Sequence, residues 1–507
     1  MELTEECAPI VVVSHYLSVD GFAGLVEALR AAASQTALLV LTDGNACMAA
    51  TKGLPSEIIT SFESFILDAS QLKLTLGDLR DRYSSVPWNS VVASERSFTD
   101  YSFLMGATGH RFERDSYIVP LILNLVSFFD AEFERLKPRA VITARGDNLF
   151  TFIAAIVAEE KGIPLLIPHP AFLNENGGLE AGYFGNTPFL ESFSMVRHYL
   201  ELKARSLTDS ERARAEAFSA SLIAYDGRIT LEHYYKKKDF ERPVTPQRNR
   251  LLRYIREQNC LDSTVAFYKI DWRRKVGANF RRIFRQYRAR HFLASQIADV
   301  PEESVFFAMH FQPEASTLVN GIWYSNQIAL IETLSKALPL GYTLIVKEHP
   351  RGRGMRPFWQ YEHIANLHNV QFCDLPSKEI LGHCKMAVSI SGSIGLEALA
   401  MKKPVLMFGR TFHTFHPLYY RVGCPEDLPS LLHGVLIDGH FQKREALEEE
   451  IHRILLAYLN AMYPFSPIGK RMADLTTHLL DELDQPMDVA REWLNRLHDD
   501  RSSIQKD

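Results

Sequence analysis

Short apolar runs alternate with amphipathic stretches in two parts of the chain, from residue 8 to about 185 and again from about 304 to 408. In the first part Ile10–Ser14, Ala37–Leu41, Ala140–Thr143 and Pro164–Ile167 read as strands, and Gly21–Ala33 and Asn148–Lys161 as helices. In the second, Ser304–Met309, Thr343–Val346, Val370–Phe372, Met386–Ile390 and Val405–Phe408 read as strands, with helices such as Ser325–Leu338 and Ile394–Met401 between them. Continuous apolar strands separated by helical patterns are the signature of βαβ units, whose parallel sheets are buried on both faces. Residues from about 190 to 300 are instead charged and helical in pattern, with Asp209 placed to cap the ERARAEAF run. The tail from about 440 is helical again, its apolar residues Ile451, Leu455, Leu459 and Met462 recurring on one face.

The pattern predicts an α/β protein of two Rossmann-like domains facing across a cleft, the GT-B architecture. The expected divisions are residues 1–188, a helical insert at 189–300, a second Rossmann-like domain at 301–438, and a helical segment at 439–507. A chain of 507 residues exceeds what one core supports, which agrees with this division. The composition, 46% hydrophobic and 23% charged, is that of a soluble globular protein. A formal net charge of −5 speaks against nucleic acid as the partner. The N-terminus MELTEECAPIVVV lacks the basic flank and cleavage site of a signal peptide. The longest apolar stretches, Tyr117–Phe129 and Leu149–Ala158, fall short of the about 20 residues that span a bilayer. The cysteines, Cys7, Cys47, Cys260, Cys373, Cys384 and Cys424, form no CxxC pair, so reduced thiols in a cytoplasmic protein are expected.

Open parallel sheets bind ligands beyond the carboxyl ends of their strands, and three strand ends of the second half are rich in chemistry. In MAVSISGSIGLEALAMKKPVLMFG, the strand at Met386 runs into Ser391, Gly392 and Ser393 before a helix that carries Glu397. Two hydroxyls and a glycine at a helix start can receive a phosphate, and Glu397 a ribose; the plainer reading makes Ser393 an N-cap and Glu397 a solvated side chain. In TLIVKEHPRG, Pro350 ends the strand after Lys347 and His349, with Arg351 alongside. An imidazole there can hydrogen-bond a phosphate or protonate a leaving oxygen; alternatively it is a histidine satisfied in a turn. In FFAMHFQPEAST, His310, Gln312, Glu314, Ser316 and Thr317 follow another strand. Glu314 there can act as base or nucleophile, or simply cap the next turn.

Together HFQPEAST, VKEHP and SISGSIGLEALAMKKPVLMFG resemble the capsule polysaccharide biosynthesis glycosyltransferases, whose relatives include retaining transferases that move Kdo from CMP-Kdo. The resemblance covers roughly residues 300–420. It implies a nucleotide-sugar donor, a CMP-ulosonate such as CMP-Kdo, with the phosphate at His349, Lys347, Pro350, Arg351, Ser391, Gly392 and Ser393. His310, Gln312 and Ser316 would line the donor side. In the Kdo transferases a carboxylate followed by Ala-Ser is the nucleophile; its match is Glu314, where those enzymes have Asp, and Pro313 is inserted before it. The resemblance further implies no cofactor and no required metal. The first half would supply the acceptor side, a glycan or lipid-linked acceptor, through His15, Asp20, Gly21 and Arg145. Asp147 would be either a catalytic group or the helix N-cap. Pro168-His169-Pro170 repeats the strand-end histidine.

The stretch Asp271–Phe292 is strongly basic, with Val276, Phe280, Ile283, Phe284 and Tyr287 at helical spacing. It fits either an anionic membrane surface at the inner face of the cytoplasmic membrane or an arginine-rich helix bridging domains. No metal-ligating motif stands out; Asp78 and Asp81 lie in a polar helical stretch. A sugar-nucleotide epimerase, a UDP-sugar-dependent transferase or an inactive assembly factor of the same fold are the competing expectations.

Overall fold

The computed structural model describes residues 8–15, 19–32, 36–41, 59–62, 74–95, 118–144, 146, 148–171, 181–224, 284–296, 299–312, 314–464 and 475–499. Two sheets organise them, each around a strand that begins its half of the chain. The first sheet contains β1 (Ile10–His15), β2 (Thr36–Leu41), β3 (Ile59–Ser61), β4 (Ala140–Thr143), β5 (Leu165–Pro170) and β6 (Ala181–Gly185). The second contains β7 (Ser304–Ala308), β8 (Thr343–Lys347), β9 (Val370–Phe372), β10 (Met386–Ser389), β11 (Val405–Met407) and β12 (Tyr419–Tyr420). A last short strand, β13 (Tyr463–Pro464), returns to the first sheet, which reads β13-β6-β5-β4-β1-β2-β3 in space. The second sheet reads β12-β11-β10-β7-β8-β9 and is parallel throughout.

The predicted α/β architecture of two mainly parallel sheets with helices around them is what forms. Burial explains the apolar runs: Val11, Val12 and Val13 of β1 and Val305, Phe306 and Phe307 of β7 are all fully enclosed. Such strands face helices on both sides, so they cannot alternate polar with apolar. The helix Leu149–Glu160 is apolar all round for a related reason. It packs on β1 and β4 with one face and on the helix Val119–Leu136 with another.

Several boundaries and partners differ from the expectation. Asp209 lies inside its helix, Asp209–Ala224; Thr208 does the capping, its hydroxyl accepting from Glu211 N while the Glu211 carboxylate accepts from Thr208 N. Strands β3, β6, β12 and β13 escape the apolar-run criterion because each is very short or carries glycine. The helical tail packs on both halves: its helix Leu447–Asn460 lies along Phe193–Lys203, and Thr476–Leu483 on Val19–Ala32. No helix among the described residues is long and apolar enough to cross a membrane.

Where the two halves meet, the carboxylate of Glu191 is buried, 2% exposed. Arg410 Nε donates to it at 3.0 Å, and His498 Nε2 donates to its other oxygen at 2.7 Å. His498 Nδ1 in turn accepts from Arg421 at 2.7 Å, so the imidazole is a neutral relay between guanidinium and carboxylate. Asn320 adds a second tie, its amide donating to Phe189 O and Arg410 O at 2.8 Å each. Against the opposing pull of burial, Arg410 and His498 hold the Glu191 carboxyl well below the ordinary carboxylate range.

Replacing Arg410 with Ala leaves Glu191 with His498 and the Thr187 hydroxyl, and with no guanidinium on either oxygen. The expected loss is about 2–3 kcal/mol in urea denaturation, less than for a wholly enclosed pair because the guanidinium is partly solvated. Because the folded-state pKa of Glu191 is depressed, its stabilisation holds at neutral pH and is lost as pH falls below the ordinary carboxylate range. The variant should show a smaller acid dependence; equal stability and equal acid dependence would mean the pair contributes nothing.

Candidate functional site

In the second sheet, strand order reverses at β7. The chain goes outward through β8 and β9 on one side, then returns to build β10, β11 and β12 on the other. The crevice beyond the carboxyl ends of β7 and β10 is therefore the topological switch point, the place where open α/β sheets take ligands. Here the three motifs meet. His310, two residues past β7, sets its Nε2 3.1 Å from Ser389 Oγ and accepts from Ser391 N at 3.4 Å. Ser389 Oγ also accepts from Gly392 N at 3.1 Å. A Cβ on Gly392 would stand 2.9 Å from Ser389 Oγ and 3.1 Å from the His310 ring, so the close approach of backbone to imidazole requires glycine. Ser391 Oγ donates to Ser316 O at 2.6 Å, joining the β10 loop to the β7 loop a second time.

His310 is itself fixed through its main chain. Gln327, 1% exposed, accepts from His310 N at 2.7 Å and donates to His310 O at 3.1 Å. The same carbonyl accepts from Arg356 Nη2 at 2.9 Å. Arg356 is 3% exposed and also donates to Glu348 Oε2 at 2.8 Å and to Gln312 Oε1 at 3.1 Å. Tyr361 Oη donates to the same Glu348 oxygen at 3.0 Å, and His349 N donates to Glu348 Oε1 at 2.8 Å. Two loops are thus stitched together by a buried ion pair in which each oxygen of the carboxylate has a partner. Sequence reasoning missed both Arg356 and Glu348.

His349 accepts at Nδ1 from Arg351 N, 3.2 Å away, so its proton sits on Nε2. Burial is the first cause that pushes its pKa down from 6.5 to about 4, followed by Arg351, Arg356, Lys347 and Arg353. At neutral pH it is therefore an uncharged N–H donor. Arg351 lies with its guanidinium 4.5 Å from the centre of the Phe311 ring and 3.6 Å from Glu314 Oε1. Glu314 precedes the short helix Ala315–Leu318; its side chain makes no cap bond there and is 41% exposed. Ser316 Oγ donates to Glu314 Oε2 at 3.4 Å. Ala315 and Val319 belong to the core of the first half, so Glu314 stands where the two halves touch.

Other expected residues go elsewhere. Lys347 is directed away: its ammonium bonds the carbonyl of Leu375, and burial lowers its pKa. Ser393 holds the N-cap position but with helical φ and ψ and no side-chain bond to the helix start. Its hydroxyl bonds Glu397, which is 9% exposed rather than solvated, and burial pushes that carboxyl up to about 7 against the opposing effect of Lys378. Pro350 is exposed at the loop surface. His169 is a core histidine, its Nδ1 donating to Pro170 O at 2.9 Å and its ring lying 5.1 Å from that of Tyr183.

In the first half, β1 stands between β4 and β2, so the same reversal occurs there. His15 is the last residue of β1, and Asp20 and Gly21 lie in the helix Val19–Ala32. Arg145 and Asp147 lie outside the described residues. The N-cap that Asp147 could have supplied is Asn148, whose Oδ1 accepts from Thr151 N at 3.1 Å. Glu95, 3% exposed, accepts from Leu149 N at 3.0 Å at the same helix end. Asp78 closes a capping box with Thr75. Among the described residues no group of three or more His, Cys, Asp or Glu could hold a metal ion.

Residues 280–421, which contain the whole second switch point, match the family described as capsule polysaccharide biosynthesis protein. The resemblance expected for roughly 300–420 is thus met. The capsule polysaccharide export protein KpsS of Escherichia coli is 29% identical over 109 residues, covering 19% of this chain and 26% of that protein. The match therefore spans about a quarter of that relative's length. Among solved structures, the KpsC beta Kdo 2,7 transferase of Thermosulfurimonas dismutans is similar at 11% identity. The likeness covers 69% of this chain and 88% of that one, with a TM-score of 0.33. The UDP-GlcNAc 2-epimerase of Neisseria meningitidis, solved with UDP-GlcNAc, is similar at 13% identity over 94% and 99% of the two chains, with a TM-score of 0.23.

Two measurements check this geometry. Replacing Arg356 with Ala strands the buried Glu348 carboxylate and should cost about 3–5 kcal/mol of stability by denaturant titration. The Arg356→Met, Glu348→Gln pair should recover part of it. By nitrogen-detected NMR, His349 should remain an Nε2-protonated neutral ring down to about pH 4. A midpoint near 6.5 would contradict the half-buried, cation-ringed setting.

Proposed function

We propose that the chain is a glycosyltransferase of capsule or lipopolysaccharide assembly. It would move a sugar from a nucleotide donor, a CMP-ulosonate such as CMP-Kdo, to a glycan or lipid-linked acceptor. The observation that carries this reading is the joining of His310, Ser389 and Ser391 across the second switch point, with Glu314 at its mouth, inside the segment that matches the capsule family.

In this reading the donor phosphate sits between the 391–393 loop and His349. The neutral His349 Nε2–H donates to a phosphate oxygen, and Arg351 supplies the positive charge. Arg351 faces Glu314 at 3.6 Å in a loose, partly solvated pair, which an arriving phosphate can outcompete. Glu314 is then free to attack the anomeric carbon. The carbon–oxygen bond to the phosphate breaks, CMP departs with the electron pair, and the acceptor hydroxyl later displaces Glu314 with loss of its proton. Glu397, held by Ser393, would accept hydrogen bonds from the nucleoside ribose. Acceptor binding falls to the first half, around His15 at the end of β1. Working at the inner face of the cytoplasmic membrane would bring the basic stretch 271–292 against anionic lipid.

Differential thermal stabilisation tests the donor: CMP-Kdo or CMP should raise the midpoint, and UDP-GlcNAc should not. Stabilisation by the UDP-sugar alone would favour a UDP-dependent transferase or an epimerase, and no response to any nucleotide would remove both enzymatic readings. With a responsive donor, Glu314→Gln should bind it normally and lose at least about 100-fold in turnover, since the variant lacks the nucleophile. Full turnover in that variant would end the catalytic assignment.

A further inference from the structure

The basic stretch has a described portion, a helix over residues 284–294. Ala289 and Leu293 are buried, and the Phe292 ring lies 5.6 Å from Phe358 and 5.9 Å from Phe372. Arg288 rests its guanidinium 3.9 Å from the centre of the Phe358 ring. One face is therefore firmly seated on the helix Phe358–Ala365. The opposite face is not apolar-free: Phe284 and Tyr287, one turn apart, are 63% and 75% exposed, and Trp359 on the supporting helix is 59% exposed. Solvent-facing Phe, Tyr and Trp on two adjoining helices are uncommon on a surface that meets water alone.

Charge narrows the partner. From Trp272 to Ala298 the sequence carries Arg273, Arg274, Lys275, Arg281, Arg282, Arg285, Arg288 and Arg290 and no acidic residue, in a chain whose net charge is −5. Interfacial helices combine these two features, aromatic side chains at headgroup depth and arginines against anionic lipid. The helix is also built onto the site. Gly354 has φ +73, and a Cβ there would stand 2.4 Å from Gln286 N, so the backbone of the loop that carries Arg351 and Arg356 lies directly on the helix.

We infer that Phe284, Tyr287 and Trp359 form an edge that enters the headgroup region of an anionic membrane, and that this edge sets the 349–356 loop close to the lipid surface. The inference deepens the membrane-peripheral part of the function proposed above and rests on it, but does not depend on the identity of the donor. A lipid-linked acceptor would then approach the switch point from the side on which the helix lies.

The test is co-sedimentation of the full chain with phosphatidylcholine vesicles and with vesicles of phosphatidylcholine and phosphatidylglycerol. Binding should be confined to the anionic vesicles, and the Phe284→Ser, Tyr287→Ser double variant and Trp359→Ser should each weaken it by about fivefold or more. These side chains are exposed, so thermal midpoints and the stabilisation by nucleotide should match the parent, which separates loss of this edge from failure of the donor reading. Undiminished vesicle binding by both variants, binding of the parent to neutral vesicles equally well, or capture of RNA in place of anionic vesicles would each overturn the inference.

Discussion

A guanidinium that water barely reaches is costly to bury, and Arg356 is 3% exposed against a Glu348 that is 2% exposed. Such a pair seldom stabilises more than a well-packed apolar substitute would. What it supplies is geometry. One planar group reaches Glu348 after β8 and Gln312 and His310 after β7, with hydrogen bonds in fixed directions. The loops after β7 and β8 are thereby set at one distance, and the His310 imidazole, tethered by the carbonyl that Arg356 grips, is presented to Ser389 and Ser391. The polar layer of the crevice hangs on that arginine.

The same network sorts the charges of the site. Arg356 is matched by Glu348 and Arg353 by Asp374, while Lys347 is turned to a main-chain carbonyl. Arg351 lies 3.6 Å from Glu314 and against the face of Phe311. The cations act together on His349, whose imidazole would have to take up a proton among four positive side chains in a largely desolvated place. It remains neutral, and its free N–H can donate to an anion without first capturing a proton. Positive charge and hydrogen-bond donor are therefore provided by different residues, Arg351 and His349, two positions apart on one loop.

Most strands were legible because they follow from apolar runs too regular to be accidental, and the strand-end motifs were legible because polar residues clustered where those runs stopped; the order of the strands was not. The network beneath them was not. RGRGMR carries three closely spaced arginines, and that spacing alone does not say that the last is enclosed while Arg351 stays near the surface. Lys347 and His349 have the alternation of one strand face, yet the strand ends between them, and the lysine bends toward Leu375. Ser393 has the residue type of a cap but helical dihedral angles, so its hydroxyl turns back to Glu397. The cap expected near Asp147 passed to Asn148, one position along, because either residue type satisfies the same N–H groups and the start of the helix decides between them.

The position of Glu314 ties these levels together. Its loop leaves β7 in the second sheet, but the short helix that follows sinks Ala315 and Val319 into the core of the first half. Arg351 stays with the second sheet through the Gly354 contact and the Arg356 network. The 3.6 Å separation of Glu314 from Arg351 is consequently a distance between two packed bodies, joined elsewhere by Asn320 and by the buried Glu191 with Arg410 and His498. Well-packed cores shift as units rather than stretch, so the Glu314–Arg351 contact is fixed by how the two bodies pack and not by the loops alone.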